Sequence, residues 1–344
     1  MGSNPLTPTL SPLGRGSPAA PAARQCPKAI LLVFLVALAS LFALVMSGLV
    51  MLVTPALAQE QPHQARLPVI ATTSDLRSLT EAVGGDRVAV NSLVPSNFDP
   101  EEYQPRPQDL TRLKDTRLVV RVGLDFDLWF DRLLALAGGA VQRGGPGYVD
   151  ASYAVAPLEV RGVTVGPGDG HAHGSGNPHY WLDPKNAEII TANILEGLAR
   201  IDPANGPFYE ANRMAFLKRL DGKLKAWEAA AAPLNGVPLV AYHNSWAYFA
   251  RRFRLDVVGF VEPKPGVPPS PFHIASLISL MQARKVRIIV RQPHEPERDV
   301  AFLAKRTGSK FVVLASSVGA LPGTHDYLSL FDTNLAALLA AAKP

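Results

Sequence analysis

The chain has 344 residues, which leaves room for about two domains, and its 47% hydrophobic content excludes a wholly disordered protein. Lys+Arg 34 against Asp+Glu 29 gives a net charge of +5, but residues 1–58 hold Arg15, Arg24 and Lys28 and no acid. The remainder carries 31 bases against 29 acids in no run or stripe, which excludes a polyanion binder and leaves no nucleic-acid partner to expect.

In chain order, a Pro/Gly/Ser-rich start leads into an uncharged apolar run from Ala29 to Val53, followed by Ala56-Leu57-Ala58 before Gln59. This small-x-small pattern predicts a signal peptide over residues 1–58, cut after Ala58, and a periplasmic mature chain. The run exceeds the ~7–15 residues usual for a signal core, so an uncleaved membrane anchor is the alternative. The only cysteine, Cys26, precedes the apolar run, so the mature chain has none. That excludes disulfides, thiolate catalysis and cysteine-ligated zinc, and any metal chemistry must come from His, Asp and Glu.

From Leu67 onward, short β-branched runs alternate with amphipathic stretches, the pattern of βαβ units and a mostly parallel sheet. Val69–Ala71, Val88–Val90 and Leu118–Val120 read as strands, with helices near Asp75–Val83, Pro107–Lys114 and Asp125–Leu136. Leu239–Ala241, Val257–Gly259, Ile288–Val290 and Val312–Leu314 form a second set. Between them lies the longest helical pattern, Pro207 to Ala232, with Met214, Leu217, Leu220, Leu224 and Trp227 on one apolar face. The prediction is an α/β protein of two lobes, each a mostly parallel sheet flanked by helices, joined by one long rigid helix. The N-terminal lobe takes residues 59–204, the linking helix 205–234 and the C-terminal lobe 235–344.

Four polar motifs fall just beyond predicted strands, where open α/β sheets place ligands. They are Asp99-Pro100-Glu101-Glu102-Tyr103-Gln104-Pro105, Asn177-Pro178-His179-Tyr180-Trp181-Leu182-Asp183-Pro184, Tyr242-His243-Asn244-Ser245-Trp246 and Gln292-Pro293-His294-Glu295-Pro296. Each has a structural reading too: the first as a solvated acidic turn, Asp183 as a helix cap, His179 as a hydrogen-bonded core histidine. A Gly-rich insert, Gly166–Gly176, adds His171 and His173, either a weak zinc collector or a polar loop. His63, His273 and His325 are assigned surface or structural roles.

Taken together, the Asp99–Asp109 loop, the Asn177–Pro184 motif, the His243 motif, the Gly/His insert and the central helix resemble the zinc/manganese solute-binding proteins of bacterial ABC transporters. The resemblance spans about Leu67 to Ala342. It implies two lobes holding one divalent metal in the crevice, and it supports His179 and His243 as ligands. Glu101 stands where the family usually has its first histidine. The late family acid has no counterpart in Ala315-Ser316-Ser317-Val318, and His294 or Glu295, one strand earlier, is the candidate replacement; Asp326 or water would be further alternatives.

The expected metal set is therefore Glu101, His179, His243 and His294. Three imidazoles and a carboxylate suit tetrahedral Zn²⁺ at ~2.0–2.2 Å better than Mn²⁺, which favours more oxygen. The implied function is capture of Zn²⁺ by a monomer for an ABC permease with a cytoplasmic ATPase, without enzymatic chemistry. The competing readings are an exported zinc hydrolase, disfavoured by the lack of a His-Glu-x-x-His helix, and a metal-binding adhesin on the same fold.

Overall fold

The computed structural model describes residues 35–36, 38–41, 65–159, 174–264 and 266–343. The predicted cleavage site, His63, and His171 and His173 lie outside the described residues. Positions 35–36 and 38–41 are helical, and no helix among the described residues is long and apolar enough to cross a membrane.

Residues 64–344 form one compact unit containing two four-stranded sheets. The first comprises β1 (Leu67–Ala71), β2 (Val88–Ser92), β3 (Leu118–Arg121) and β4 (Tyr148–Asp150) in the order β2-β1-β3-β4. The second comprises β5 (Pro238–Ala241), β6 (Asp256–Phe260), β7 (Ile288–Arg291) and β8 (Lys310–Val313) in the order β6-β5-β7-β8. Every pairing is parallel, so the two halves repeat one topology. In both sheets the order reverses beside the first strand, which opens a crevice beyond the carboxyl ends of β1 and β3 and of β5 and β7. The strands read as unbroken apolar runs because helices cover both faces.

Those helices are α1 (Ser74–Gly84), α2 (Pro107–Lys114), α3 (Trp129–Ala137) and α4 (Ala187–Ile201) in the first lobe. The second has α6 (Ala247–Phe253), α7 (Pro271–Ala283), α8 (Glu297–Thr307) and α9 (Tyr327–Ala342), and α5 (Gly206–Ala231) joins the two. With 26 residues, α5 is about 39 Å long at 1.5 Å per residue. It packs on α1 and α4 of one lobe and on α9 of the other. Asn212 Nδ2 donates to Val83 O at 3.1 Å, and Trp227 Nε1 donates to Asp332 Oδ1 at 2.8 Å. One apolar cluster runs from Val69 and Leu79 through Phe216 and Trp227 to Phe331 and Leu338, so the lobes share a core. A shared core resists the wide hinge opening of proteins whose lobes are joined only by strands or loops.

Two sequence expectations need correction, and one strand lies outside them. Met214 is 58% exposed, and the buried face of α5 uses Tyr209 and Phe216 instead, alongside Leu220, Leu224 and Trp227. Helix α3 starts at Trp129, not Asp125, because Leu124 and Asp125 have φ of 50° and 64°, incompatible with an α-helix. That turn lets Asp127 Oδ2 accept from Val122 N at 2.7 Å while its Oδ1 meets buried Arg121 Nη2 at 2.8 Å. The three-residue strand β4 carries too short a period to be read from sequence.

Asp75, in the first turn of α1, is fully buried and accepts from Val318 N at 2.9 Å, tying the first lobe to the turn after β8. Burial pushes its carboxyl from the ordinary 3.8 up to about 7, against the opposing hydrogen bond from Val318. The folded protein thus binds this proton more tightly than the unfolded chain. Its stabilising effect is full below about pH 4 and is lost as pH rises through about 7. Asp75→Asn, which keeps an acceptor for Val318, is expected to match the parent in thermal melting near pH 4 and to melt higher at pH 8. A lower melting temperature at pH 8 contradicts this.

Candidate metal centre

Glu101 sits in a short 3₁₀ turn, Pro100–Glu102, that follows β2. Asp99 caps the turn by accepting from Glu101 N at 2.9 Å, and Pro100 O accepts from Trp129 Nε1 at 2.9 Å. Tyr103 packs at a tilt against Trp129 and donates its hydroxyl to Asp109 Oδ2 at 2.8 Å, which also accepts from Arg106 N. Prolines and these bonds at both ends hold the loop stiff, and the Glu101 side chain is only 3% exposed. An acidic turn with its carboxylate turned inward is not a solvated surface turn.

His179 precedes the turn Tyr180–Leu182 and is packed against Phe126 and Trp181. Asn177 Oδ1 accepts from both the backbone N–H and the ring Nδ1 of His179, each at 3.1 Å. The Asn177 amide is fixed by its own donation from Nδ2 to Asn244 O at 2.9 Å. Nδ1 of His179 therefore carries a proton toward Asn177, and Nε2 faces Glu101 Oε1 at 3.3 Å.

His243 lies two residues beyond β5, in the opposite lobe. Its Nδ1 meets Glu262 Oε2 at 2.5 Å, which fixes the same tautomer and points Nε2 at Glu101 Oε1, 3.9 Å away. Burial lowers the imidazole's proton affinity. The hydrogen bond to Glu262 and the charges of Glu101, Glu262 and Glu295 outweigh it, so the pKa is raised.

The donor atoms of Glu101, His179 and His243 lie within 4.8 Å of one another. Ligands around a tetrahedral metal at ~2.1 Å stand about 3.4 Å apart, so small side-chain adjustments close this trio on an ion. The same cleft is lined by Asp99, Ser245, Gln292, His294, Ser316 and Ser317. His294 Nε2 stands 3.7 Å from Asp99 Oδ2, and burial lowers its pKa, which favours the neutral ring.

The alternative acids are otherwise occupied. Glu295 accepts from Gln292 N at 2.5 Å and from Gln292 Nε2 at 3.0 Å, and burial raises its carboxyl to about 7. Asp326 caps α9 by accepting from Ser329 N at 2.7 Å, within a reciprocal capping box. Sequence reasoning passed over Glu262 and the orienting role of Asn177. Glu262 was detectable, because it follows the recognised strand β6 by two residues, as His243 follows β5.

Comparison with known proteins places this geometry. The manganese ABC transporter substrate-binding lipoprotein PsaA of Streptococcus pneumoniae is 26% identical over 249 residues, 70% of this chain and 76% of its own length. The iron-binding protein YfeA of Yersinia pestis is 24% identical over 291 residues, 81% of this chain and 88% of its own. A crystal structure of ZnuA superposes with a TM-score of 0.70 at 26% identity, covering 81% of this chain and 100% of that one. Residues 69–341 match the ZnuA family, described as zinc-uptake complex component A, periplasmic. The chain therefore belongs to the ZnuA family of metal ABC transporter substrate-binding proteins, which bind and deliver their cargo and are not enzymes.

Proposed function

We propose that this protein captures Zn²⁺ outside the cytoplasm, after export by a cleaved signal, and presents it to an ABC permease driven by a cytoplasmic ATPase. The convergence of two oriented imidazoles and one buried carboxylate from both lobes carries this reading. Glu101, His179 and His243 form three ligands, and His294, in the same cleft, turns from Asp99 to complete four. Three nitrogens and one oxygen suit tetrahedral zinc, whereas manganese favours a richer oxygen set.

The relatives named for manganese and iron make the metal the decisive measurement. Protein stripped with chelator and reloaded is expected to take up one Zn²⁺ and to hold it against a tenfold excess of Mn²⁺ or Fe²⁺. Element-specific anomalous scattering from the loaded crystal would identify ion and ligands together. Retention of Mn²⁺ or Fe²⁺ over Zn²⁺ would overturn the zinc assignment.

A further inference from the structure

We infer that Glu262 is a positioning residue that holds His243 on the metal and couples its grip to the exposed loop that follows β6. This rests on the metal site proposed above. The Glu262 side chain reaches in two directions: Oε2 takes the Nδ1 proton of His243 at 2.5 Å, and Oε1 accepts from Gly266 N at 2.7 Å. Its side chain is 14% exposed, between a buried imidazole and a surface loop. The two lone-pair sites thus join a metal-facing ring to the backbone of residues 262–270. Val267, within that loop, is 45% exposed.

The described residues of the loop are held at both ends. Prolines 263, 268 and 269 restrict its backbone, and Val267 N closes a turn on Lys264 O at 2.9 Å. Its far end is tethered where Ser270 caps α7 and the His273 ring bonds Phe260 O at 2.9 Å. Displacing the loop therefore draws Gly266 away from Glu262 and pulls the carboxylate off His243. Electrostatics give the same carboxylate a second role. A dication with Glu101 as its only anionic ligand leaves a net charge of +1, which the Glu262 carboxylate behind His243 helps offset. A carboxylate on the remote nitrogen also makes an imidazole a stronger donor.

Chelator competition on zinc-loaded full-length variants tests this. Glu262→Ala is expected to bind one Zn²⁺ some 10–100-fold more weakly, the range typical of lost outer partners. Glu262→Gln, whose amide oxygen still accepts the Nδ1 proton, should recover part of that loss. Melting of the metal-free variants separates a folding defect from a site defect, and the Gln variant should melt like the parent. In hydrogen exchange, residues 262–270 of the parent should be better protected with zinc than without, and this difference should vanish in Glu262→Ala. Parental affinity in Glu262→Ala, or identical loop exchange with and without zinc, overturns the inference alone. A parent that takes up no zinc overturns the metal site beneath it.

Discussion

Replacing His179 or His243 with alanine is expected to abolish tight zinc binding in the stripped and reloaded protein. A four-ligand zinc site releases about 10–16 kcal/mol, so one ligand is worth about 3 kcal/mol, on the order of 10²-fold in affinity. Both rings are held in one tautomer by partners that remain after the substitution, Asn177 and Glu262, so the loss reports the ligand atom. Glu101→Ala should weaken binding less, because its position departs from the usual histidine and its carboxylate can be replaced by water. Isothermal titration with a competing chelator measures all three. Parental affinity in either histidine variant would remove that residue from the shell. An inert Glu101→Ala beside a damaging His294→Ala would remove the first-lobe loop from the shell and leave water to complete it.

The second large effect concerns stability. Asp183, whose side chain is 2% exposed, belongs to the same loop as His179 in the first lobe, and its main partner is Arg252 on α6 of the second. Arg252 Nε and Nη2 meet the two carboxylate oxygens at 2.7 and 3.0 Å, and Nη1 reaches Glu228 on α5 at 3.4 Å. One guanidinium thus pins both lobes and the linking helix. Its removal leaves a buried carboxylate poorly compensated, a change that typically costs about 3–5 kcal/mol. Arg252→Ala is expected at the lower end, about 3 kcal/mol in urea unfolding, because Arg251 stands 3.6 Å from Asp183 and Lys185 N still donates to it. Arg252→Lys should fall between, since an ammonium cannot make the paired contact. A loss below about 1 kcal/mol for the alanine variant would show a solvated surface pair instead.

The candidate metal site and this clamp share a geometry. His179 and Asp183 are separated by the single turn Tyr180–Leu182, so the contact that fixes the lobes lies next to a metal-facing ring. Trp181 adds to it, donating Nε1 to Ser316 O at 2.9 Å across the lobes. A shared core and such cross-links leave little room for one lobe to swing away from the other.

The sequence alone determined the alternation of strands and helices, the two similar halves, and the long helix between them, because these follow from short β-branched runs, a helical period of 3.6 and proline placement. It also pointed metal chemistry to histidine and carboxylate, since the sole cysteine, Cys26, stands far from all four polar motifs. Strand-end placement brought four motifs forward, and the family resemblance pointed within them to Glu101, His179 and His243, with His294 as the replacement ligand. Tertiary structure decided what each side chain faces. Asp326 is a helix cap and Glu295 is held by Gln292, while Glu262 reaches His243 from a neighbouring strand. Convergence across 142 positions from Glu101 to His243 depends on how two sheets meet, and no local pattern carries that information.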